Sequence, residues 1–370
     1  MTGTTDHTAS ASSAARAAVE SDGFLKDIWY FAMHGRELKP GALQHRTLAG
    51  QPVLIGRTKA GKAFAIRDIC PHRGVPLSAG RFVDTDNQPT VQCPYHGWRF
   101  GTDGVCKHIP SLYEGQDMDA SRISVTSYPL REQQGALWVF VPSDLRRPAE
   151  PAEEPPLMPG VGDRPARIYQ KFQLNCHVDN AVIGLIDPAH GPFVHKNWFW
   201  RDETGMKEKA KEFAPVKNGF CMVAHKPSAN SKIYTLLGGD VKTEISFLIP
   251  GVRIEHITAG KHHLVGMTTV TPEGPEKTEI TQSFFTTNPV LNLLAPLFKP
   301  FMYHFLKQDA DIVNIMQEGL KFDPRLMLIN EADVQGKWYF SMKTEWERSR
   351  AEGRDFRNPV PEKTVLRWRS

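Results

Sequence analysis

Two histidines and an aspartate lie within nine residues near the middle of the chain, in the run Asp187-Pro-Ala-His-Gly-Pro-Phe-Val-His195. Neutral imidazoles and one carboxylate on a single face of a metal, with other positions open, are the ligands of non-haem Fe(II) sites that react with O2. On a regular helix, His190 and His195 would point roughly 140° apart. Pro192 between them removes a backbone donor. The sequence therefore predicts that a helix ends or distorts here, so that both rings turn toward one point.

A histidine pair alone is also common in structural roles, so further evidence for a metal site is needed. A second group of metal-binding side-chain types lies upstream. The segments Cys70-Pro-His72-Arg-Gly and Cys93-Pro-Tyr-His96-Gly-Trp each supply one thiol and one imidazole. Two cysteines on one iron and two histidines on the other are the ligands of a Rieske [2Fe–2S] cluster. A Cys2His2 zinc site needs the same residue types, so the residue types alone leave both sites open.

Both motifs, in this order, resemble those of Rieske non-haem iron oxygenases, the ring-hydroxylating and demethylating family. The paired Cys/His loops are similar to the Rieske signature, and Asp-x-x-His-x-x-x-x-His is similar to the mononuclear iron motif. The resemblance extends over nearly the whole chain after the first twenty-odd residues. It implies that His190 and His195 bind Fe(II). It also implies that four residues hold one [2Fe–2S] cluster: Cys70, His72, Cys93 and His96.

The resemblance implies that the carboxylate ligand of the iron comes from a late segment. Residues 306–317 resemble the family's helix in which an aspartate opens a turn that ends in glutamine. This resemblance implies Asp309 as the ligand, with Asp311 as the alternative. Without the family, both would be interpreted as solvated charges on a helix.

Asp187 has two interpretations. By its position alone, it is a helix-capping or solvated carboxylate. Its place in the motif implies instead a carboxylate that orients His190 and connects it to a cluster histidine of a neighbouring chain in a homotrimer. Asp179 and Asn180 receive no role, because the interval between this pair and Asp187 is about four residues longer than in the family, roughly one helical turn.

Composition excludes several classes of protein. The chain has 370 residues, 40% of them hydrophobic and 23% charged, which is typical of a globular protein with two domains. A net charge of +4, with both signs spread along the sequence, argues against nucleic-acid and membrane partners. Three of the five cysteines lie outside the paired loops, an odd and scattered set that does not predict disulfides. With neither a secretory signal nor a membrane span expected, we expect a cytoplasmic protein.

The pattern of elements predicts an α+β protein. We expect a flexible tail over 1–22, an all-β Rieske domain over 23–145, a proline-rich linker over 146–166 and a catalytic domain over 167–370, in which helices flank an antiparallel sheet. Strands are predicted at Gln51–Arg57, Ala136–Val141 and Ile233–Leu237, and a helix over 298–321. The sheet and a late apolar group are candidates for the pocket walls or for ordinary core: Phe284, Phe285, Leu291, Leu294, Leu297, Phe298, Phe301 and Phe305.

The resemblance implies an oxygenase component that activates O2 and oxygenates a hydrophobic substrate, aromatic, terpenoid or sterol-like. Monooxygenation (hydroxylation) and oxidative demethylation are favoured over dihydroxylation, because the chain is similar to single-subunit members. We find no Gly-rich dinucleotide motif in the sequence, so electrons are expected from a separate NAD(P)H-dependent reductase, a ferredoxin or both. The alternative is a Rieske electron carrier whose C-terminal domain docks a partner.

Overall fold

The computed structural model describes residues 23–85, 88–195, 205–227 and 240–370. The expected tail over 1–22 and the strand predicted at Ile233–Leu237 lie outside the described residues.

The first part of the described chain is built from short antiparallel strands. They are β1 (Ile28–His34), β2 (Leu43–Leu48), β3 (Gln51–Arg57), β4 (Ala63–Arg67), β5 (Arg81–Thr85), β6 (Gln88–Gln92), β7 (Arg99–Gly101), β8 (Cys106–His108), β9 (Ser127–Tyr128), β10 (Leu130–Gln133) and β11 (Ala136–Val141). They form three sheets, in the orders β1-β11-β10, β2-β3-β4-β9 and β5-β6-β7-β8. Short 3-10 turns occupy Gly35–Glu37, Leu77–Ala79 and Ala120–Arg122.

The second part is organised on one large antiparallel sheet. Its strands are β12 (Ile168–Leu174), β13 (Glu208–Val216), β14 (Gly219–His225), β15 (Val241–Leu248), β16 (Val252–Ala259), β17 (His262–Gly274), β18 (Lys277–Thr286) and β19 (Thr364–Arg369). The order of these strands is β12-β18-β17-β16-β15-β14-β13-β19. The helices are α1 (Val178–Ile186), α2 (Gly191–Val194), α3 (Pro289–Leu294), α4 (Lys299–Leu320) and α5 (Val334–Ala351), with a 3-10 turn at Ala295–Phe298.

The expected α+β class is confirmed, and its local causes are visible in the sequence. Strand β3 has the bounds that the sequence predicts, and its Val53 and Ile55 are fully buried. β-Branched side chains favour such strands because they pack well on a pleated surface. Helix α4 buries Met302, Leu306, Ala310 and Val313. These positions recur at intervals of three and four residues and so form one stripe facing the sheet.

Polar contacts fasten the small sheets to the large one. Arg46 on β2 makes a two-pronged ion pair with Glu279 on β18, with N–O distances of 3.0 and 2.6 Å. The hydroxyl of Thr271 donates to the carbonyl of Phe31 over 3.1 Å. The side chains of Arg46 and Glu279 are mostly buried, so solvent screens their ion pair only weakly. These contacts fix the small sheets relative to the large sheet, against which the helix that carries Asp309 packs.

The proline-rich connection is held in place along its length. Met158 and Val161 are buried in the core between the small and large sheets. The side chain of Gln134 accepts from the Met158 N–H over 2.7 Å and donates to the carbonyls of Met158 and Gly162 over 3.0 and 2.7 Å. The connection therefore packs as part of the core.

In the part of the chain that the structure describes, none of the helices has the length and apolar character needed to cross a bilayer.

His34 lies in the contact between the small and large sheets. It is 2% exposed, and its Nε2 lies 3.0 Å from the Ser283 hydroxyl. Burial lowers the pKa of His34 from 6.5 to about 4, against the opposing charge of Glu37. The unfolded chain takes up this proton below about pH 6.5, whereas the folded chain does so only near pH 4. The stability that neutral His34 provides is therefore complete above pH 6.5 and is lost as the pH falls toward 4.

We predict that the free energy of unfolding falls by up to about 3 kcal/mol more between pH 6.5 and 4 in the wild type than in His34→Gln. Denaturant unfolding at several pH values measures this difference. His108→Gln, at an exposed strand position, is the control and should keep the wild-type slope. Equal slopes in wild type and His34→Gln would contradict the assignment.

Candidate metal centres

The segment before the histidine pair breaks out of its helix at Asp187. Helix α1 ends at Ile186, and Asp187 takes an extended conformation with φ −66° and ψ 120°. The cause is local, because a proline at 188 disfavours helical backbone in the residue before it. The chain then re-enters one short turn, α2, with Pro192 in its first positions. This interruption removes the angular separation that a continuous helix would impose on the two histidines.

His190, His195 and Asp309 converge on one point. The Nε2 atoms of the two rings are 3.2 Å apart, and Asp309 Oδ1 lies 3.8 Å from His190 Nε2 and 3.3 Å from His195 Nε2. All three ligand atoms lie within 4.8 Å of one another. Three ligands on one face of an ion with bonds of about 2.1 Å would be roughly 3 Å apart. These three residues therefore fit a single metal ion.

Asp311 points away from this cluster. Its carboxylate accepts from the Lys307 ammonium over 2.6 and 2.8 Å, and its side chain is 54% exposed. This pair, four residues apart on one helical face, is an ordinary surface ion pair. Of the two candidate aspartates, the structure brings Asp309 to the histidines and leaves Asp311 in solvent.

The charges of the three residues are strongly perturbed. Burial lowers the pKa of His195 to about 4 and raises the pKa of Asp309 to about 6, against the opposing charges of His190 and Arg253. Burial would also lower the pKa of His190, but the hydrogen bonds and charge of Asp187, together with the charge of Asp309, raise it overall. A desolvated carboxylate beside a neutral imidazole is stabilised by a cation placed between them.

Hydrogen bonds at Nδ1 orient both imidazoles so that each Nε2 points toward the site formed with Asp309. His190 Nδ1 donates to the backbone carbonyl of Asp187 over 2.9 Å. His195 Nδ1 lies 3.2 Å from the side-chain Oε1 of Gln308, so a donated proton there leaves Nε2 free as a ligand. The ring of Phe305 stacks on His195 at 3.8 Å between centroids. Gln308 was not predicted from the sequence, although its position directly before Asp309 was a signal that could have found it.

One carboxylate oxygen of Asp187 caps the backbone turn that follows it. Its Oδ1 accepts from the Ala189 N–H over 2.7 Å, while Oδ2 lies 3.6 Å from His190 Nδ1. The side chain is 29% exposed, so the carboxylate is partly accessible. Oδ1 therefore does what the helix-capping interpretation predicts. The other interpretation, a link to a cluster histidine of a neighbouring chain, concerns Oδ2.

Asp179, which the sequence left unassigned, connects two helices. Its carboxylate accepts from the Lys343 ammonium over 2.8 Å and from the Tyr339 hydroxyl over 2.6 Å. Both partners lie on α5, so these contacts hold the start of α1 against that helix. Asp179 therefore positions the helix that leads into Asp187.

The upstream Cys/His segments form two loops of closely similar shape. In each, the N–H four residues after the cysteine donates back to the cysteine carbonyl, at 2.9 Å from Gly74 to Cys70 and 3.1 Å from Gly97 to Cys93. The two glycines have φ of +73° and +71°, a conformation that a side chain would strain. The glycine in each motif is therefore required by the shape of the loop.

The side chains of these loops face each other with the sulfur atoms inside. Cys70 and Cys93 are each 2% exposed, and burial together with the neighbouring Cys93 thiol raises the pKa of Cys70. The rings of His72 and His96 are 4.5 Å apart, at the outer side of the loops. Trp98 stacks on His72 at 4.6 Å.

The loops fit a two-iron cluster better than one zinc ion. In a tetrahedral zinc site all ligand atoms would lie within about 4 Å of one another, but among the described residues these four provide no set of three within 4.8 Å. In addition, the Trp98 indole N–H is buried without an acceptor in the described part of the chain. A buried donor of this kind fits an acceptor that belongs to a bound group.

A cavity of about 200 Å³ lies beside Asp187 and Pro188. Its floor is one face of the large sheet, with the side chains Phe220, Met222, Ile245 and Phe247. The expected contribution of the sheet is therefore present. The late apolar residues proposed for the walls do not line this cavity: Phe285 is 1% exposed in another part of the core, and Leu297 is 74% exposed.

We predict that Gln308→Leu weakens metal binding at the three-residue cluster by about 10- to 100-fold, because His195 loses the acceptor that fixes its ring. Titration with Co(II), whose visible absorption reports its coordination, measures the dissociation constant. Gln317→Leu on the same helix, where the amide bonds a backbone carbonyl, is the matched control. Equal affinities in the two variants would show that Gln308 does not orient the ligand.

Comparisons with known proteins agree with the cluster loops. Residues 28–129 match the family model of the Rieske [2Fe-2S] domain. The chain is 31% identical over 177 residues to chlorophyllide a oxygenase of Arabidopsis thaliana, a match covering 47% of this chain and 30% of the relative. It is 32% identical over 178 residues to the oxygenase component of dicamba O-demethylase from Stenotrophomonas maltophilia, covering 47% of this chain and 48% of the relative.

The chain thus matches half or less of the length of these two curated relatives. The crystal structure of dicamba monooxygenase bound to dicamba superimposes with a TM-score of 0.67 at 21% identity, covering 89% of this chain and 99% of that chain. This likeness shows a shared fold across both parts of the molecule. The chain therefore contains a Rieske [2Fe-2S] domain, is similar in sequence to oxygenases over about half of its length, and shares the fold of dicamba monooxygenase.

Proposed function

We propose that this chain is a terminal oxygenase component that uses electrons from a separate reductase to oxygenate a hydrophobic, ring-bearing substrate. The convergence of His190, His195 and Asp309 within 4.8 Å is the observation that carries the proposal. When bound, a [2Fe–2S] cluster supplies one-electron transfer, and Fe(II) with open coordination positions supplies reduction of O2.

The proposed ligands are those whose geometry fits each group. Cys70, His72, Cys93 and His96 hold the cluster. His190, His195 and Asp309 hold the iron. Both thiols are buried and His96 is exposed, and a reductase or ferredoxin would dock near these loops. The name of one relative, an oxygenase component, supports a division of labour with such a partner.

Asp187 is proposed to serve two chains. Its Oδ1 holds the local turn, and its Oδ2, 3.6 Å from His190 Nδ1, would accept from a cluster histidine, His72 or His96, of a neighbouring chain. A head-to-tail contact of this kind closes into a ring, and we propose a homotrimer. The carboxylate would then connect the two metal centres through hydrogen bonds between subunits.

The substrate and reaction are proposed from the relatives and the cavity together. The names of the relatives describe action on chlorophyllide a and on the O-methyl group of dicamba, both ring compounds. The apolar sheet floor of the cavity beside Asp187 suits such a body. We propose monooxygenation or oxidative demethylation, with dihydroxylation as the alternative.

An electron carrier with a docking domain is the second candidate, favoured by the Rieske domain alone. Such a carrier would not require the convergence of His190, His195 and Asp309, nor the hydrogen bonds that aim both rings at one point. These features favour the oxygenase.

We predict that the protein, supplied with a ferredoxin and its reductase, incorporates isotopically labelled O2 into a compound from a panel of methylated aromatic, terpenoid and sterol-like molecules. Asp309→Ala should abolish product formation, because the iron loses its carboxylate. Asp311→Ala, which removes a surface ion pair, should retain it. Mass spectrometry of the products decides, and labelled product from Asp309→Ala would refute the ligand assignment.

We predict that Asp187→Asn retains cluster, iron and trimer and is reduced normally at the cluster, yet forms product about 10- to 100-fold more slowly. The substitution keeps the size and removes the charge between the two centres. Single-turnover kinetics after anaerobic reduction measure the effect, and gel filtration measures the assembly. A normal single-turnover rate, or a fully active wild-type monomer, would rule out the proposed path.

A further inference from the structure

One side of the helical segment that precedes Asp309 is apolar and exposed. Helix α3 begins after Asn288, whose side chain accepts from two N–H groups of the first turn over 3.0 and 3.1 Å. A 3-10 turn then leads directly into α4. Ala295 and Met302 face inward and pack with Ile168 on β12. The other side forms an apolar face of five exposed residues: Val290, Leu293, Leu294, Leu297 and Phe298.

The apolar face has the spacing of one side of a helix. Positions 290, 293, 294 and 297 are separated by intervals of three or four residues, so their side chains lie along one stripe. Leu293 and Leu297 are each 74% exposed. Isolated apolar residues on a surface are ordinary, whereas a contiguous apolar group marks a surface that binds a partner or a membrane.

The sequence around the apolar face carries positive charge and no negative charge. Residues 281–308 include neither aspartate nor glutamate. Of the two lysines in this range, Lys307 is paired with Asp311 over 2.6 Å. Lys299 is exposed directly beside Phe298, and no carboxylate of the described residues lies within ion-pairing distance of it. Lys299 is therefore available to an anionic group outside the chain.

Two exposed arginines from distant parts of the chain extend this charge. Arg167 donates to the carbonyl of Asn292 on α3 over 2.9 Å, and Arg36 donates to the carbonyl of Arg167 over 3.4 Å. Glu37, the acidic residue next to Arg36, is already paired with Lys171 over 2.8 Å. Taken over the whole chain, the spread of charge argues against a membrane partner, yet the fold gathers these cations at the border of the apolar face.

The composition of this surface favours a lipid bilayer over another protein. Leucine and valine rarely carry the binding energy of protein interfaces, where Trp, Tyr and Arg dominate. A helix that lies in the surface of a bilayer presents Leu and Phe to the acyl chains and Lys and Arg to the head groups. A second copy bound through the same face would place Lys299 and Arg167 against the like charges of its partner. Anionic head groups complement these charges instead.

We propose that the apolar face docks on an anionic lipid bilayer, with its aliphatic side chains among the acyl chains and Lys299, Arg167 and Arg36 at the head groups. The docking is peripheral, because none of the described helices is long and apolar enough to cross a bilayer. Asp309 lies about 18 Å along the helix from Leu297, so the candidate iron site is held near the lipid surface, where hydrophobic compounds concentrate. The proposal does not depend on the oxygenase function.

Sedimentation of the metal-loaded protein with lipid vesicles tests the proposal without turnover. The wild type should bind vesicles of phosphatidylcholine containing phosphatidylglycerol at least about tenfold more tightly than vesicles of phosphatidylcholine alone, because each cation near an anionic surface strengthens binding. Leu293→Ser combined with Leu297→Ser should weaken this binding by at least about tenfold, because two apolar side chains no longer leave water. Leu297→Phe keeps an apolar side chain and should bind as wild type.

Two controls separate the apolar face from general changes in polarity and charge. Ile315→Ser combined with Leu326→Ser removes two aliphatic side chains that are also exposed but lie outside the face, and should bind as wild type. Lys299→Gln should weaken binding to the anionic vesicles about fivefold. Lys321→Gln changes the net charge equally, but Lys321 is paired with Glu318 at the other end of α4, roughly 33 Å away, and this variant should bind as wild type.

Absence of vesicle binding, equal binding to the two kinds of vesicle, or the same loss in both serine double variants would each overturn the proposal. Gel filtration identifies the competing occupant. A wild-type assembly that dissociates in Leu293→Ser with Leu297→Ser would show that a second copy covers the face, and this result would also overturn the proposal. Vesicle binding that depends on Leu293 and Leu297 in a protein that never incorporates O2 would overturn the oxygenase function and retain the lipid surface.

Discussion

The candidate iron site depends on the break in the backbone between Ile186 and Gly191. Proline at 188 excludes Asp187 from the helix, and the short turn after it brings His190 and His195 to 3.2 Å between Nε2 atoms. A continuous helix would separate the same rings by roughly 140°. The ion pair of Asp179 with Lys343 anchors the helix before the break, and α4 supplies Asp309 and Gln308 from the other side. The site is therefore made where two separately anchored helices meet.

The two proposed metal centres differ in how the protein fixes the geometry of their ligands. At the cluster loops, positive-φ glycines at 74 and 97 set the backbone, and the thiols lie inside. At the iron site, hydrogen bonds to the far ring nitrogens set the side chains, and burial keeps His195 neutral with a pKa of about 4. Fixed ligand geometry reduces the reorganisation needed when a metal binds. Polar contacts such as Arg46 with Glu279 then hold the part of the chain with the loops against the sheet of the second part.

Motif spacing and periodicity were enough to predict the α+β class, strands such as β3 and β11, and the place where the helix ends. They could not locate Gln308 or the contact of Asp179 with Lys343, because each depends on chain segments that are distant in sequence. Helical spacing alone also could not choose between Asp309 and Asp311. The choice follows from the face of α4 that packs toward the histidines.

The content of iron, acid-labile sulfide and zinc per chain tests the central claim most directly, because the claim is that one chain holds both a two-iron cluster and a separate iron. After iron-replete expression, the account predicts three iron atoms and two sulfides per wild-type chain, and two of each in His190→Ala. Two iron atoms in the wild type would contradict the mononuclear site and favour the carrier. Stoichiometric zinc without sulfide would contradict the cluster itself.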